Sequence, residues 1–272
     1  MGKFTGILLA SDMDGTLYGH TGRILPADRE AISYFIAGGG TFTVATGRTR
    51  ISLKPLLPQL EINAPALLAN GALAYDYLIG ETLFEQNLEG GYLHAANIVA
   101  REFPEAAVEV HSPDDIKTFR PNEGSVAHMA YICELTKEIA RLEDAPPPWL
   151  KIVFIEKPEY IAKVRTFISE RFGGEYALMS AYSWFLEFLH KNANKGAALE
   201  RLSVILGFKR ENVYCIGDAD NDLSMLTRFK GFAPDNAEPE VKAAAAQTVC
   251  DCDSGAVAQA IEWIEKLNPT DA

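Results

Sequence analysis

Apolar runs and amphipathic stretches alternate along the N-terminal part of the chain. Ile7-Leu8-Leu9-Ala10 is a continuous apolar run, the pattern of a strand covered on both faces. It stops at Asp12-Met13-Asp14-Gly15-Thr16. Pro26 to Ile36 predicts a helix, with Pro in its first turn and Gly38-Gly39-Gly40 ending it. Thr41 to Ala45 predicts a second strand, which runs into Thr46-Gly47-Arg48. A helical stretch follows to about Leu60, and Ala66 to Ala69 predicts a third strand ending in Asn70-Gly71. Strands alternating with helices make a parallel α/β sheet. Ligands of such sheets bind beyond the carboxyl ends of the strands, where all three polar clusters fall.

The rhythm changes after Gly71. Leu73 to Leu78 and Thr82 to Phe84 predict short paired strands, Trp149 to Ile155 a strand, and Glu159 to Phe172 a helix. The first rhythm then returns. Lys195 to Leu206 is helical, Asn212 to Ile216 is a strand, and Gly217-Asp218 stands at its end. Asp220 to Phe229 and Ser254 to Leu267 predict further helices, with Ser254 as N-cap of the last. The organisation this implies is one α/β core made from residues 1–80 and 188–272, interrupted by an inserted domain over 81–187.

Composition narrows the partners. The 272 residues carry 25 Lys and Arg against 37 Asp and Glu, a net charge of −12. That balance disfavours nucleic acid and anionic membrane surfaces as partners, while one positive pocket for a small anion remains compatible with it. No apolar run is long enough to span a bilayer. Cys133, Cys215, Cys250 and Cys252 are too few and too irregular for a disulfide framework. They read as reduced thiols of a cytoplasmic protein. Oligomeric state leaves no mark on the sequence.

The chemistry concentrates at the strand ends. Asp12 and Asp14 place two carboxylates two residues apart after a buried strand. Two carboxylates about 4 Å apart repel by about 4 kcal/mol at an effective dielectric of 20. They therefore need a cation or a retained proton. Mg²⁺ suits such oxygens and also binds substrate phosphate. Gly217-Asp218-Ala219-Asp220-Asn221-Asp222 is a second acidic cluster that could complete a hard oxygen site. Calcium-loop spacing fails from Asp12 and from Asp218, because Leu17 and Leu223 occupy the position that needs Gly. Thr46-Gly47-Arg48 offers a hydroxyl, a glycine that permits close backbone approach, and a cation, all suited to a phosphate. Lys195 can neutralise an anionic intermediate. Mononucleotide-loop, dinucleotide, zinc-protease and serine-hydrolase motifs are absent. The histidines show no ligand spacing and read as surface or core residues.

These residues, in this order, resemble the motifs of the haloacid dehalogenase superfamily. Asp12-Met13-Asp14-Gly15-Thr16-Leu17, Thr46-Gly47-Arg48, Lys195 and Gly217-Asp218-x-x-Asn221-Asp222 carry the likeness over nearly the whole chain. Asn70-Gly71-Ala72 and the long insertion look like the Cof-like subfamily with a type IIB cap, which includes sugar-phosphate phosphatases. Ser11 departs from the aromatic residue common before the first Asp. The resemblance implies a Rossmann-like parallel sheet with helices on both faces plus an inserted α+β cap that sets specificity. It implies Asp12 as nucleophile and Asp14 as the acid and then the base. Thr46 and Lys195 would bind the phosphoryl group. Mg²⁺ would be held by Asp12, the Asp14 backbone carbonyl and Asp218, with Asp222 and Asn221 completing or orienting that shell. Gly47, Arg48 and Asn70 would face the substrate. The implied activity is Mg²⁺-dependent hydrolysis of small phosphorylated metabolites, sugar phosphates first, through an aspartyl-phosphate. A phosphotransferase or mutase on the same fold and a non-enzymatic phospho-aspartate module are the alternatives. Within the cap no motif singles out specificity residues, and Arg120, Asn122 and Lys151 are only polar candidates.

Overall fold

The computed structural model describes residues 2–180 and 183–268. The chain forms two compact units, one of residues 1–46, 56–83 and 194–272, the other of residues 47–55 and 84–193.

The first unit is built on five parallel strands in the order Gln247–Val249, Lys230–Pro234, Val213–Ile216, Leu8–Ser11 and Thr41–Val44. Leu8–Ser11 and Val213–Ile216 are wholly buried, as their apolar runs require, and the one polar hydroxyl of the first, on Ser11, bonds the Asp12 carbonyl at 2.7 Å. In register, Ser11 lies between Val44 and Ile216. The residues that follow each, starting with Asp12, Ala45 and Gly217, therefore emerge at one carboxyl edge. Leu8–Ser11 has its next strand, Thr41–Val44, on one side and the later Val213–Ile216 on the other. The strand order thus reverses at Asp12, where a doubly wound sheet opens a crevice.

Helix Pro26–Ala37 packs with helix Ala256–Leu267, and helix Lys195–Ile205 packs with Leu223–Leu226. Pro26 opens its helix because a missing N–H costs nothing in the first turn. The expected helix over 220–229 is shorter. Asp220–Asp222 form a 3₁₀ turn and only Leu223–Leu226 are α-helical; the Asp222 carboxylate accepts the N–H groups of Asp218 and Ala219 just before the turn. Ser254 does not cap the last helix. That helix starts at Ala256 after Gly255, and the cap comes from Asp28, whose Oδ1 accepts the Ala258 N–H at 2.8 Å. The strand expected over 66–69 ends at Leu68, because Ala69 turns into left-handed backbone at φ 48°. It makes one parallel bridge to Ala45 and pairs antiparallel with Leu73–Asp76.

The second unit has a six-stranded sheet in the order Tyr176–Met179, Phe185–His190, Lys151–Ile155, Ala107–His111, Ile116–Phe119 and Glu138–Ile139. All pairs but the last are antiparallel. Period-two alternation separates its faces. Val108, Val110, Ile152, Phe154, Leu186 and Phe188 join residues of helices Tyr92–Glu102 and Pro158–Phe172 in one core. On the opposite face Ile116 packs with Met129, Ile132 and Ile51. This last contact is why the helical turn Arg50–Leu53 clusters with the second unit, although the sequence reading places 47–55 in the first.

Candidate active site

Asp12 follows its buried strand directly, with its N–H bonded to the Ile216 carbonyl at 2.9 Å. Opposite it stands Lys195, the first residue of its helix. Asn194 caps that helix by accepting the Ala197 N–H at 2.8 Å. The Lys195 side chain is fully buried and its ammonium donates to Asp12 Oδ1 at 2.6 Å and to Asp222 Oδ1 at 2.7 Å. Burial works against its charge, but Asp12 and then Asp222 outweigh burial and hold its pKa above the usual lysine value.

Asp222 is spanned on both oxygens. Its Oδ2 accepts the N–H groups of Asp218 and Ala219 at 3.0 and 3.1 Å. Asp218 lies on the strand-end turn, and Thr16 Oγ1 donates to its Oδ1 at 2.7 Å. Gly15 has φ 87°, and a Cβ there would stand 2.5 Å from Asp218 Oδ2. A glycine is thus required both by the turn and by the close approach of the carboxylate. The Gly15 carbonyl is held by Asn236 Nδ2 at 2.8 Å.

Donor oxygens of Asp12, Asp218 and Asp222 lie within 4.8 Å of one another. Burial, then repulsion from Asp222 and Asp218, raises the Asp12 carboxyl well above its usual range against the pull of Lys195. Burial, then Asp222, raises Asp218 to about 6. Three carboxylates and one ammonium leave excess negative charge in a buried place, and the donors are all hard oxygens. This set fits a divalent cation. The Asp14 carboxylate is not part of the trio; Asp14 is half-buried at the start of the loop and bridges to Tyr18.

Thr46 is buried, with its N–H on the Leu67 carbonyl and its own carbonyl accepting the Asn70 N–H at 2.9 Å. Asn70 adopts φ 55°, a left-handed conformation that Asn tolerates better than most residues. Its Oδ1 accepts from Asn221 Nδ2 at 3.0 Å, which joins the third strand end to the acidic turn. Thr46, Asn70, Asn221, Lys195 and the acidic trio all belong to the first unit.

Gly47 and Arg48 belong to the second unit. Arg48 is buried, donates to the Ser52 carbonyl at 3.1 Å and lies over the Tyr131 ring. The Gly47 carbonyl accepts from Lys151 Nζ at 2.9 Å, and Lys151 also pairs with Glu187 at 2.6 Å. On the same sheet face Glu109 Oε2 bonds His111 Nε2 at 2.9 Å and His128 Nδ1 at 2.8 Å. Burial opposes the Glu109 charge, yet the two histidine bonds win and its carboxyl falls to about 2. Burial drives His111 down to about 4. Buried ion pairs cost desolvation and are weak contributors to stability, so this polar stripe is a binding candidate. Sequence spacing missed it because its members come from three strands and a helix. Thr16 lay inside the first motif, whereas no local signal marks Asn236. Of the three polar candidates in the insertion, Lys151 joins the stripe, Arg120 bonds the Ala100 carbonyl at 2.5 Å and Asn122 caps helix Glu123–Tyr131.

A doubly wound sheet with an acidic trio and a buried lysine at its reversal point defines a class of α/β enzymes acting at a strand-end crevice. Residues 9–261 match the profile of the haloacid dehalogenase-like hydrolase family, and the chain belongs to that family. It is 30% identical over 263 residues to the 5-amino-6-(5-phospho-D-ribitylamino)uracil phosphatase of Bacillus subtilis (strain 168), spanning 86% of this chain and 89% of the relative. It is 29% identical over 240 residues to an HMP-PP phosphatase of Yersinia enterocolitica, spanning 86% of each. A haloacid dehalogenase-like hydrolase from Bacteroides thetaiotaomicron superposes with a TM-score of 0.86 at 26% identity, over 95% of this chain and 99% of that one. A subclass IIB sugar phosphatase shares the fold with a TM-score of 0.84 at 21% identity, over 94% of this chain and 98% of that one. Among the described residues no helix is long and apolar enough to cross a membrane.

Proposed function

We propose that the protein is a Mg²⁺-dependent phosphatase of small phosphorylated metabolites, sugar phosphates among them, working through a phosphorylated Asp12. The observation that carries this reading is the buried Lys195 ammonium between Asp12 and Asp222, beside Asp218 at the sheet's reversal point. Lys195 orients the Asp12 carboxylate and opposes the rise that burial imposes on it. One oxygen of Asp12 attacks phosphorus; the bond to the leaving oxygen breaks, and Asp14 gives that oxygen its proton. Asp14 then takes a proton from water, whose oxygen attacks the same phosphorus and releases the Asp12 carboxylate. Thr46 and Lys195 bind the phosphoryl oxygens. Asp12, the Asp14 carbonyl and Asp218 would hold Mg²⁺, with Asp222 as their anchor, since its own oxygens already accept three hydrogen bonds. Bound there, the cation supplies charge neutralisation for the transferring group. The organic part of the substrate falls to the inserted domain, for which the Lys151–Glu187 and Glu109–His111–His128 groups, Gly47 and Arg48 are our candidates; in the first unit Asn70 is our candidate for substrate binding. Activity on small phosphorylated compounds is supported by the named phosphatase relatives.

The test is phosphate release from a panel of phosphorylated sugars and other metabolites, run with Mg²⁺, with EDTA, and with the Asp12→Asn variant. Release that requires the metal and vanishes in the variant is expected. Equal release with EDTA, or from Asp12→Asn, overturns the assignment.

A further inference from the structure

Away from the acidic trio, the first unit brings a second set of metal-type donors together. His20 Nδ1 stands 3.3 Å from Cys252 Sγ and 3.4 Å from Asp253 Oδ2, and the three residues can each offer a donor atom within 4.8 Å of the others. Donors bound at about 2.0–2.3 Å to a tetrahedral zinc ion stand about 3.3–3.8 Å apart, so both separations match edges of that tetrahedron. Cys252 is buried, while His20 is exposed and leaves one side open to solvent. We infer that His20, Cys252 and Asp253 form a site for a borderline-soft divalent transition metal, Zn²⁺ in the first instance.

The donor set separates this site from the acidic trio. Thiolate, imidazole and one carboxylate select zinc over magnesium, whereas three carboxylates favour the hard ion. On binding, Cys252 releases its thiol proton to solvent and the sulfur takes the metal; nothing is oxidised. The neutral His20 ring binds through Nδ1. Three protein donors leave a fourth position for water.

The loop geometry supports the donors without being needed to supply them. Gly19 passes so close to Asp253 Oδ1 that a Cβ would collide with it, and Thr21 approaches the same oxygen through its N–H and its hydroxyl at 3.4 Å. A metal here would pin the loop that follows Asp14 to the turn before the last helix. The Cys252 N–H bonds Asn236 Oδ1 at 2.9 Å, and Asn236 holds the Gly15 carbonyl. Occupancy would thus stiffen the segment next to Asp14.

The inference is independent of the phosphatase reading and is tested without turnover. Metal-free full-length protein is titrated with Co²⁺ while Mg²⁺ is kept in excess to cover the oxygen site. A thiolate-to-cobalt charge-transfer absorption that saturates at one equivalent is expected. Zn²⁺, the tighter binder, should abolish it and raise Tm, because it binds only the folded state. Cys250→Ser should keep the absorption, since Cys250 Sγ instead approaches the Ser254 carbonyl. Cys252→Ser should lose it. The exposed His20→Ala change, which spares the fold, should weaken Co²⁺ binding at least about tenfold. Absence of the absorption in the parent protein, its survival in Cys252→Ser, or unchanged affinity in His20→Ala overturns the site.

Discussion

Lys195 shows how one residue sets the state of its neighbours. It is a buried cation between two buried carboxylates, and breaking such a group by removing one member costs about 3–5 kcal/mol because the remaining charges stay uncompensated. Lys195→Met should therefore destabilise the protein by about that amount in denaturant melts. Asp12 would be left without its opposing charge, so its carboxyl should rise further. Asp12→Asn instead removes one of the surplus carboxylates and leaves Lys195 paired with Asp222, so it should keep near-parent stability and lower phosphate release at least about 10³-fold, about 4 kcal/mol of transition-state stabilisation; steady-state kinetics beside a thermal melt separates the two effects. The acids of this site were legible in the sequence, because paired carboxylates after an apolar run have few bland explanations. Thr16 and Asn236 were less so. Each acts by one hydrogen bond across a distance of more than 200 residues, and such a partner leaves no local pattern.

At the scale of elements, the parallel strands and the helices flanking them follow the hydrophobic rhythm, and their ends depart from it where side chains bond the backbone. The last helix is the clearest instance. Ser254 has the right chemistry for a cap, but Asp28, from helix Pro26–Ala37, takes the N–H of Ala258. Burial raises the Asp28 carboxyl to about 6, despite backbone hydrogen bonds from Ala258 and Val257. Its folded pKa exceeds its unfolded value, so the native state binds the extra proton. The associated stability is present below about pH 4 and is lost as pH rises through about 6. A shift of about two units corresponds to about 3 kcal/mol. Asp28→Asn keeps an acceptor for Ala258 and removes the ionisation. It should melt higher than the parent at pH 8, with the difference shrinking toward pH 4, as read by Tm across that range.

For the molecule as a whole, the two units answer acid differently. In the second unit His111 is buried neutral, with its folded pKa near 4, and Glu109 is buried charged, with its folded pKa near 2. Both bind fewer protons folded than unfolded. Their stability is complete above about pH 6.5 and is lost as pH falls toward 4 for His111 and toward 2 for Glu109. The acid loss set by His111 alone corresponds to about 3 kcal/mol. This loss runs opposite to the gain at Asp28 over the same range, so it is read as a difference: the stability of the parent relative to His111→Gln should fall as pH drops from 6.5 to 4, and a difference that does not change with pH would remove His111 as a cause.

The sequence by itself determined the α/β class, the strand ends that carry chemistry, and the identities of Asp12, Asp14, Thr46, Lys195, Asp218 and Asp222 as candidates, because apolar periodicity and short-range motifs are local properties. Only the tertiary structure decided that Lys195 bridges Asp12 and Asp222, that 47–55 packs with the inserted segment, and that His111, His128 and Glu109, or His20, Cys252 and Asp253, meet. Those meetings depend on strand register and on chain returning from far along the sequence, and a hydrophobic pattern read along the chain carries neither.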